Sequence, residues 1–103
     1  MLALGSQDGD VQLWRVSDGR MVRSLGRFGV PVWSVAFTAD GKMLAASFNN
    51  GTIRVWSAGD GRLIKTLEGH TRSVDTISFS ADGRLLASGS EDGTVRLWDI
   101  AKQ

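Results

Sequence analysis

The chain has no cysteine, no tyrosine, one proline and one histidine among its 103 residues. Without cysteine there is no disulfide and no thiolate metal site, and the redox compartment is left open. Neither sign of charge is in excess. Twelve Lys and Arg against eleven Asp and Glu leave a net charge of +1, too little to make nucleic acid or an anionic membrane the default partner. No apolar run approaches the roughly 20 residues of a membrane span. The start, Met1-Leu2-Ala3-Leu4, enters a strand-like pattern without the basic region of a signal peptide. A cytoplasmic location is the expectation. Pro31 is the lone proline, and no long or low-complexity linker divides the chain, so separate domains are not expected.

What the chain has in quantity is Asp-Gly. Asp8, Asp18, Asp40, Asp60, Asp82 and Asp92 each precede a glycine. Tight hairpin turns need positive φ, which Gly supplies freely and Asp tolerates. The stretch Gly69–Asp99 shows what these turns separate: Val74, Ile77 and Phe79; then Leu85, Leu86 and Ala87; then Val95, Leu97 and Trp98. Three short apolar runs joined by tight turns predict an antiparallel meander. The pattern repeats. Trp14, Trp56 and Trp98 stand 42 apart (56 − 14 and 98 − 56), as do Gly9, Gly51 and Gly93.

A period of 40–45 residues with Gly-His (69–70) and Trp-Asp (98–99) as brackets resembles the WD40 repeat family, over essentially the whole chain. The resemblance implies an all-β fold of antiparallel four-stranded propeller blades, incomplete and open. Ten strands are expected, at 2–6, 11–15, 21–25, 32–37, 43–48, 52–56, 62–67, 73–79, 85–90 and 94–99, with 100–103 outside any strand. Residues 1–26 would form a first blade lacking its inner strand, 27–68 a complete second blade, and 69–103 a third lacking its outer strand. Strands are expected to be buried on both faces, as Leu85-Leu86-Ala87 suggests. Propellers close with 4–8 blades, so the chain is expected to be a piece of a larger propeller protein or to associate with other copies.

The resemblance also assigns residues. In such blades a buried hydrogen-bond set links His, a second-strand Ser or Thr, the turn Asp and the Trp; here these are His70, Ser88, Asp92 and Trp98. One repeat earlier the same slots hold Phe28, Ala46, Asn50 and Trp56. The polar partners vanish together, as mutual satisfaction in a buried site requires. His70 is therefore read as structural. The repeated Asp residues are read as turn formers and not as acid/base pairs. Asp8-Gly9-Asp10 lacks the further ligands of a calcium loop, and Gly41-Lys42 lacks the rest of a phosphate loop. No catalytic residue, metal site or cofactor is expected.

Trp33 stands off the grid, where the next repeat has Asp75. A slot that takes both Trp and Asp is not a fully buried one, although alternation also places Trp33 on the face of Val35 and Phe37. In the family the start of the inner strand and the residue before the turn Asp reach a rim where partners bind. Those positions are Trp33 and Asp75, Pro31 and Ser73, and Gln7, Asn49 and Glu91. Basic residues are interleaved with acids across all repeats, which argues for a solvated surface over a nucleic-acid patch. Arg54 and Arg96 share one strand slot and should pack their stems over apolar neighbours. The function expected is a non-catalytic scaffold for protein–protein interaction; the alternative is a structural module whose copies pair through exposed blade faces and strand edges.

Overall fold

The computed structural model describes residues 1–100, and among these there are ten strands and no helix. They are β1 (Leu2–Gly5), β2 (Asp10–Arg15), β3 (Arg20–Arg27), β4 (Val32–Phe37), β5 (Met43–Phe48), β6 (Ile53–Ser57), β7 (Leu63–Leu67), β8 (Val74–Phe79), β9 (Leu85–Ser90) and β10 (Val95–Asp99). Three antiparallel meanders result: β1-β2-β3, β4-β5-β6-β7 and β8-β9-β10. By the 42-residue offset β1 corresponds to β5 and β9. The first sheet thus has the last three strands of the four-stranded pattern, and the third sheet has the first three.

The sheets stack face to face in chain order, and the stacking follows the offset. Ala3, Val11 and Leu13 turn toward the second sheet, which answers with Leu44, Ala46 and Trp56. Ala45, Ile53 and Val55 turn toward the third sheet, which answers with Leu86, Ile77 and Trp98. The pairings Ala3–Leu13, Ala45–Val55 and Ala87–Leu97 show that the register is the same in all three. Val11, Leu13, Ile53 and Val55 have no exposed surface. Fully burying such side chains is worth about 1.5–3 kcal/mol each, so these two layers dominate the stability.

Burial on both faces holds only for the middle sheet. In β5 every residue after Met43 is buried, whereas Leu85 of β9 is 40% exposed. The difference is position: the outer sheets have a neighbour on one side only. Strand ends shift for local reasons. Thr52 and Thr94 stay outside β6 and β10 because their N–H groups bond Asn50 and Asp92. β3 runs beyond Leu25 to Arg27, through Gly26 at φ 132°, where the register shifts. Arg27 is held there by Asp8 at 2.8 Å. Residues 101–103 lie outside the described residues, so the expectation for 100–103 meets the structure at Ile100, whose N–H bonds the Arg84 carbonyl.

Candidate functional site

The turns are built as their composition demands. Asp18, Asp40, Asp60, Asp82 and Asp92 each accept the N–H two residues on, and Asn50 does the same. Asp8 is different: it pairs with Arg27, while the N–H of Asp10 goes to the Ser6 hydroxyl. Hydrogen bonds to the ionised form hold several of these carboxyls below the usual range. The donors are foremost the Thr38 hydroxyl for Asp40, the Arg62 N–H for Asp60 and the Arg84 N–H for Asp82.

Asp92 is depressed furthest, because the Thr94 hydroxyl, the Thr71 N–H and His70 all donate to it. His70, Ser88, Asp92 and Trp98 form one chain. Trp98 Nε1–H donates to Ser88 Oγ at 2.9 Å. Ser88 Oγ lies 2.7 Å from His70 Nε2, and His70 Nδ1 lies 3.0 Å from Asp92 Oδ2. With the proton of a neutral imidazole on Nδ1, every bond has one donor and one acceptor: indole to hydroxyl, hydroxyl to Nε2, Nδ1–H to carboxylate. His70 and Ser88 are 7% and 2% exposed. A satisfied chain with His70 and Ser88 buried at its centre and Asp92 and Trp98 half-buried at its ends ties β9 and β10 to the segment before β8; the imidazole and the serine hydroxyl are both taken by their partners.

The second sheet meets the same need with apolar groups. Phe28 fills the histidine slot, with its ring centroid 5.3 Å from that of Phe48 and 5.9 Å from that of Trp56. Arg54 Cζ sits 4.4 Å from the Phe28 ring centroid, a cation–π contact. Its Nε is buried without a hydrogen-bond partner, so the ring face is what the guanidinium receives in exchange. Arg96, in the same slot, lies 5.8 Å from the ring of Trp98.

The rim positions separate into two groups. Trp33 is 51% exposed, and its Nε1–H donates to Asn49 Oδ1 at 3.0 Å. Trp33, Asp75 and Glu91 line one concavity of about 290 Å³ between the second and third sheets. Pro31 and Ser73 serve as backbone anchors: their carbonyls accept the N–H groups of Asn49 and Glu91. Ser73 is buried, not on the surface, and its hydroxyl donates to Asp75 Oδ1 at 2.9 Å. Gln7 is exposed and stands outside the concavity.

One feature of this rim is not written in the alternation of residues. Val32 pairs with Phe48 and Ser34 with Ser47, so Trp33 is an extra residue in β4. Val74 pairs with Ser90 and Thr76 with Gly89, which makes Asp75 its counterpart in β8. A bulge re-aims the side chain it carries. It takes Trp33 off the face of Val35 and Phe37, and the repeat of the bulge at Asp75 aims both residues at the same concavity. Among the described residues no group of three or more His, Asp or Glu is placed to hold a metal ion.

A family model described as "WD domain, G-beta repeat" matches residues 19–57 and 61–99. The chain belongs to the WD40 family. Each matched repeat of this WD40 chain straddles two sheets: the first runs from β3 through β6, the second from β7 through β10. The outermost strand of one sheet and the first three of the next are therefore one sequence unit. No curated protein matches the chain. Among solved structures, the crystal structure of the computationally designed Ika4 protein is similar, with a TM-score of 0.86 and 29% identity. The alignment covers 96% of this chain and 59% of that one.

Proposed function

We propose that this WD40 chain is a rigid, non-catalytic platform on which a partner protein docks through the rim at Trp33. WD40 repeats act in general as protein-interaction scaffolds. In this reading residues 1–26, 27–68 and 69–103 are the blades of a propeller whose remaining repeats come from the same or another chain. In this reading partner and platform meet without nucleic acid or membrane, since basic and acidic residues are nearly balanced in number and interleaved along the sequence.

The observation that carries the reading is the half-exposed Trp33, fixed by Asn49 at the edge of a concavity with two carboxylates, Asp75 and Glu91. A preoriented indole offers a large contact area at little entropic cost, the character of residues that dominate binding. Two acids beside an aromatic face favour a partner side chain that is cationic and carries an aliphatic stem. The test is selection of a displayed peptide library on the wild-type chain, followed by binding measurements on Trp33→Asp. Selected peptides should be rich in Arg or Lys and should lose about 30-fold in affinity on Trp33→Asp, equivalent to about 2 kcal/mol. Peptides that bind both proteins alike would remove Trp33 from the function.

A further inference from the structure

We propose that two copies of this chain associate head to tail, the open face of the third sheet of one copy receiving the open face of the first sheet of the other. The warrant is that the chain already makes this interface twice. The faces that meet between sheets are Val11 and Leu13 in the first junction and Ile53 and Val55 in the second, all without exposed surface. The third occurrence, Val95 and Leu97, is 77% and 71% exposed. The complementary face shows the mirror condition. Leu44 and Leu86 are fully buried, and their counterpart Leu2 is 52% exposed; Leu4, in the slot of buried Ala46, is 46% exposed. One half of the repeated interface is thus open at each end of the stack, and the two halves are complementary by construction.

The turn glycines report the same vacancy independently of side chains. A Cβ on Gly9 would stand 2.7 Å from the Val30 carbonyl oxygen, and one on Gly51 would stand 2.6 Å from that of His70. Each of these turns is thus seated against the backbone of the next sheet. Gly93, the third in the series, has nothing within 4 Å. No backbone among the described residues seats this turn.

The pairing is heterologous, so it closes a ring only if the rotation per sheet permits. Two copies bring six sheets, three from each, within the 4–8 blades with which propellers close, whereas three copies bring nine. Closure by two copies uses the same junction twice.

The experiment is light scattering after size exclusion on the full 103-residue chain, at a concentration of about 100 µM, above the dissociation constants usual for interfaces of standard size. The wild type should run at twice its 11.1 kDa mass. Leu97→Glu and Leu4→Glu each place a charge on one open face at an exposed position, and each alone should be a monomer that still melts cooperatively. Mixed one to one, they should regain a dimer, because one junction then joins two unaltered faces. A monomeric wild type overturns the proposal and leaves the faces to further repeats of a longer polypeptide. A dimer that survives both substitutions overturns it in favour of strand-edge pairing. Variants that stay monomeric when mixed overturn the head-to-tail geometry.

Discussion

Changing His70 to alanine tests whether the polar chain is a structural tie. The imidazole has no exposed surface and makes three polar ring contacts, to Ser88 at 2.7 Å, to Asp92 at 3.0 Å and to Thr94 Oγ1 at 3.2 Å. Their losses are unequal. Asp92 keeps the N–H groups of Thr71 and Thr94 and the Thr94 hydroxyl. Ser88, a residue 2% exposed, keeps only the indole N–H of Trp98 as donor, and its own hydroxyl proton loses its acceptor. An unsatisfied buried group costs about 1–3 kcal/mol. The expected loss is therefore about 2 kcal/mol, a fall in Tm of about 8–16 °C for a domain of this size. Urea melts at fixed protein concentration, in the Leu97→Glu background, would measure it without a contribution from association.

Two controls separate the cause. His70→Phe with Ser88→Ala installs the pair that the second sheet uses, Phe28 and Ala46, and should recover a good part of the loss, since replacing both partners by apolar groups is nearly neutral. Phe28→Ala should be destabilising by about 3 kcal/mol, through lost packing and the lost Arg54 contact and not through hydrogen bonds. A His70→Ala protein within about 0.5 kcal/mol of the parent, inside the range of ordinary surface substitutions, would refute the reasoning.

Acidification should weaken the fold through the turn carboxylates. Asp40, Asp60, Asp82 and Asp92 all lie below the ordinary aspartate value when folded. Their contribution is complete above the unfolded value of about 3.9 and is lost as pH falls through the folded values. Urea midpoints should drop below about pH 4, and an unchanged midpoint at pH 3 would contradict the assignment. Gly51→Ala should cost at least about 1 kcal/mol more than Gly93→Ala, the cost of forcing an extra carbon into a filled space. Both replace a positive φ, of 90° and 86°, but only the first drives a Cβ into the His70 carbonyl. Equal costs in the Leu97→Glu background would show that the two turns are seated alike.

The sheet order was legible because its determinants are local. Asp or Asn before Gly fixes a turn by its own side chain, and three tryptophans on a fixed period tie the turns to strands. The hydrogen-bond chain was legible for a related reason: His70, Ser88 and Asp92 are exchanged as a set for Phe28, Ala46 and Asn50. Partner-dependent features were not legible. Strict alternation keeps Trp33 with Val35 and Phe37, and only the pairing with β5 reveals the extra residue that turns it outward. Ser73 carries no sign in the sequence that its carbonyl and hydroxyl are both taken, by Glu91 and Asp75. The extension of β3 to Arg27 depends on Asp8, 19 residues away. The Arg54 stack depends on which residue replaces the histidine.

That each sequence repeat lends a strand to two sheets bears on how such a chain can change its copy number. Excising 42 residues between equivalent points, for example 20–61, would join the end of β2 to the start of β7. The product would still be a three-stranded sheet beside β8-β9-β10, with a turn of the same length and the same Asp-Gly chemistry (18–19 for 60–61). Duplication by the same length adds a sheet equally cleanly. The breakpoint is free wherever it leaves His70, Ser88 and Asp92 together, that is, outside 28–50 and the equivalent 70–92, because there a shift along the period exchanges every strand for its own equivalent. Gain and loss of whole periods is thus a change that the fold accommodates at breakpoints that keep the polar set whole, and the face left open at the end of the stack is always the same one.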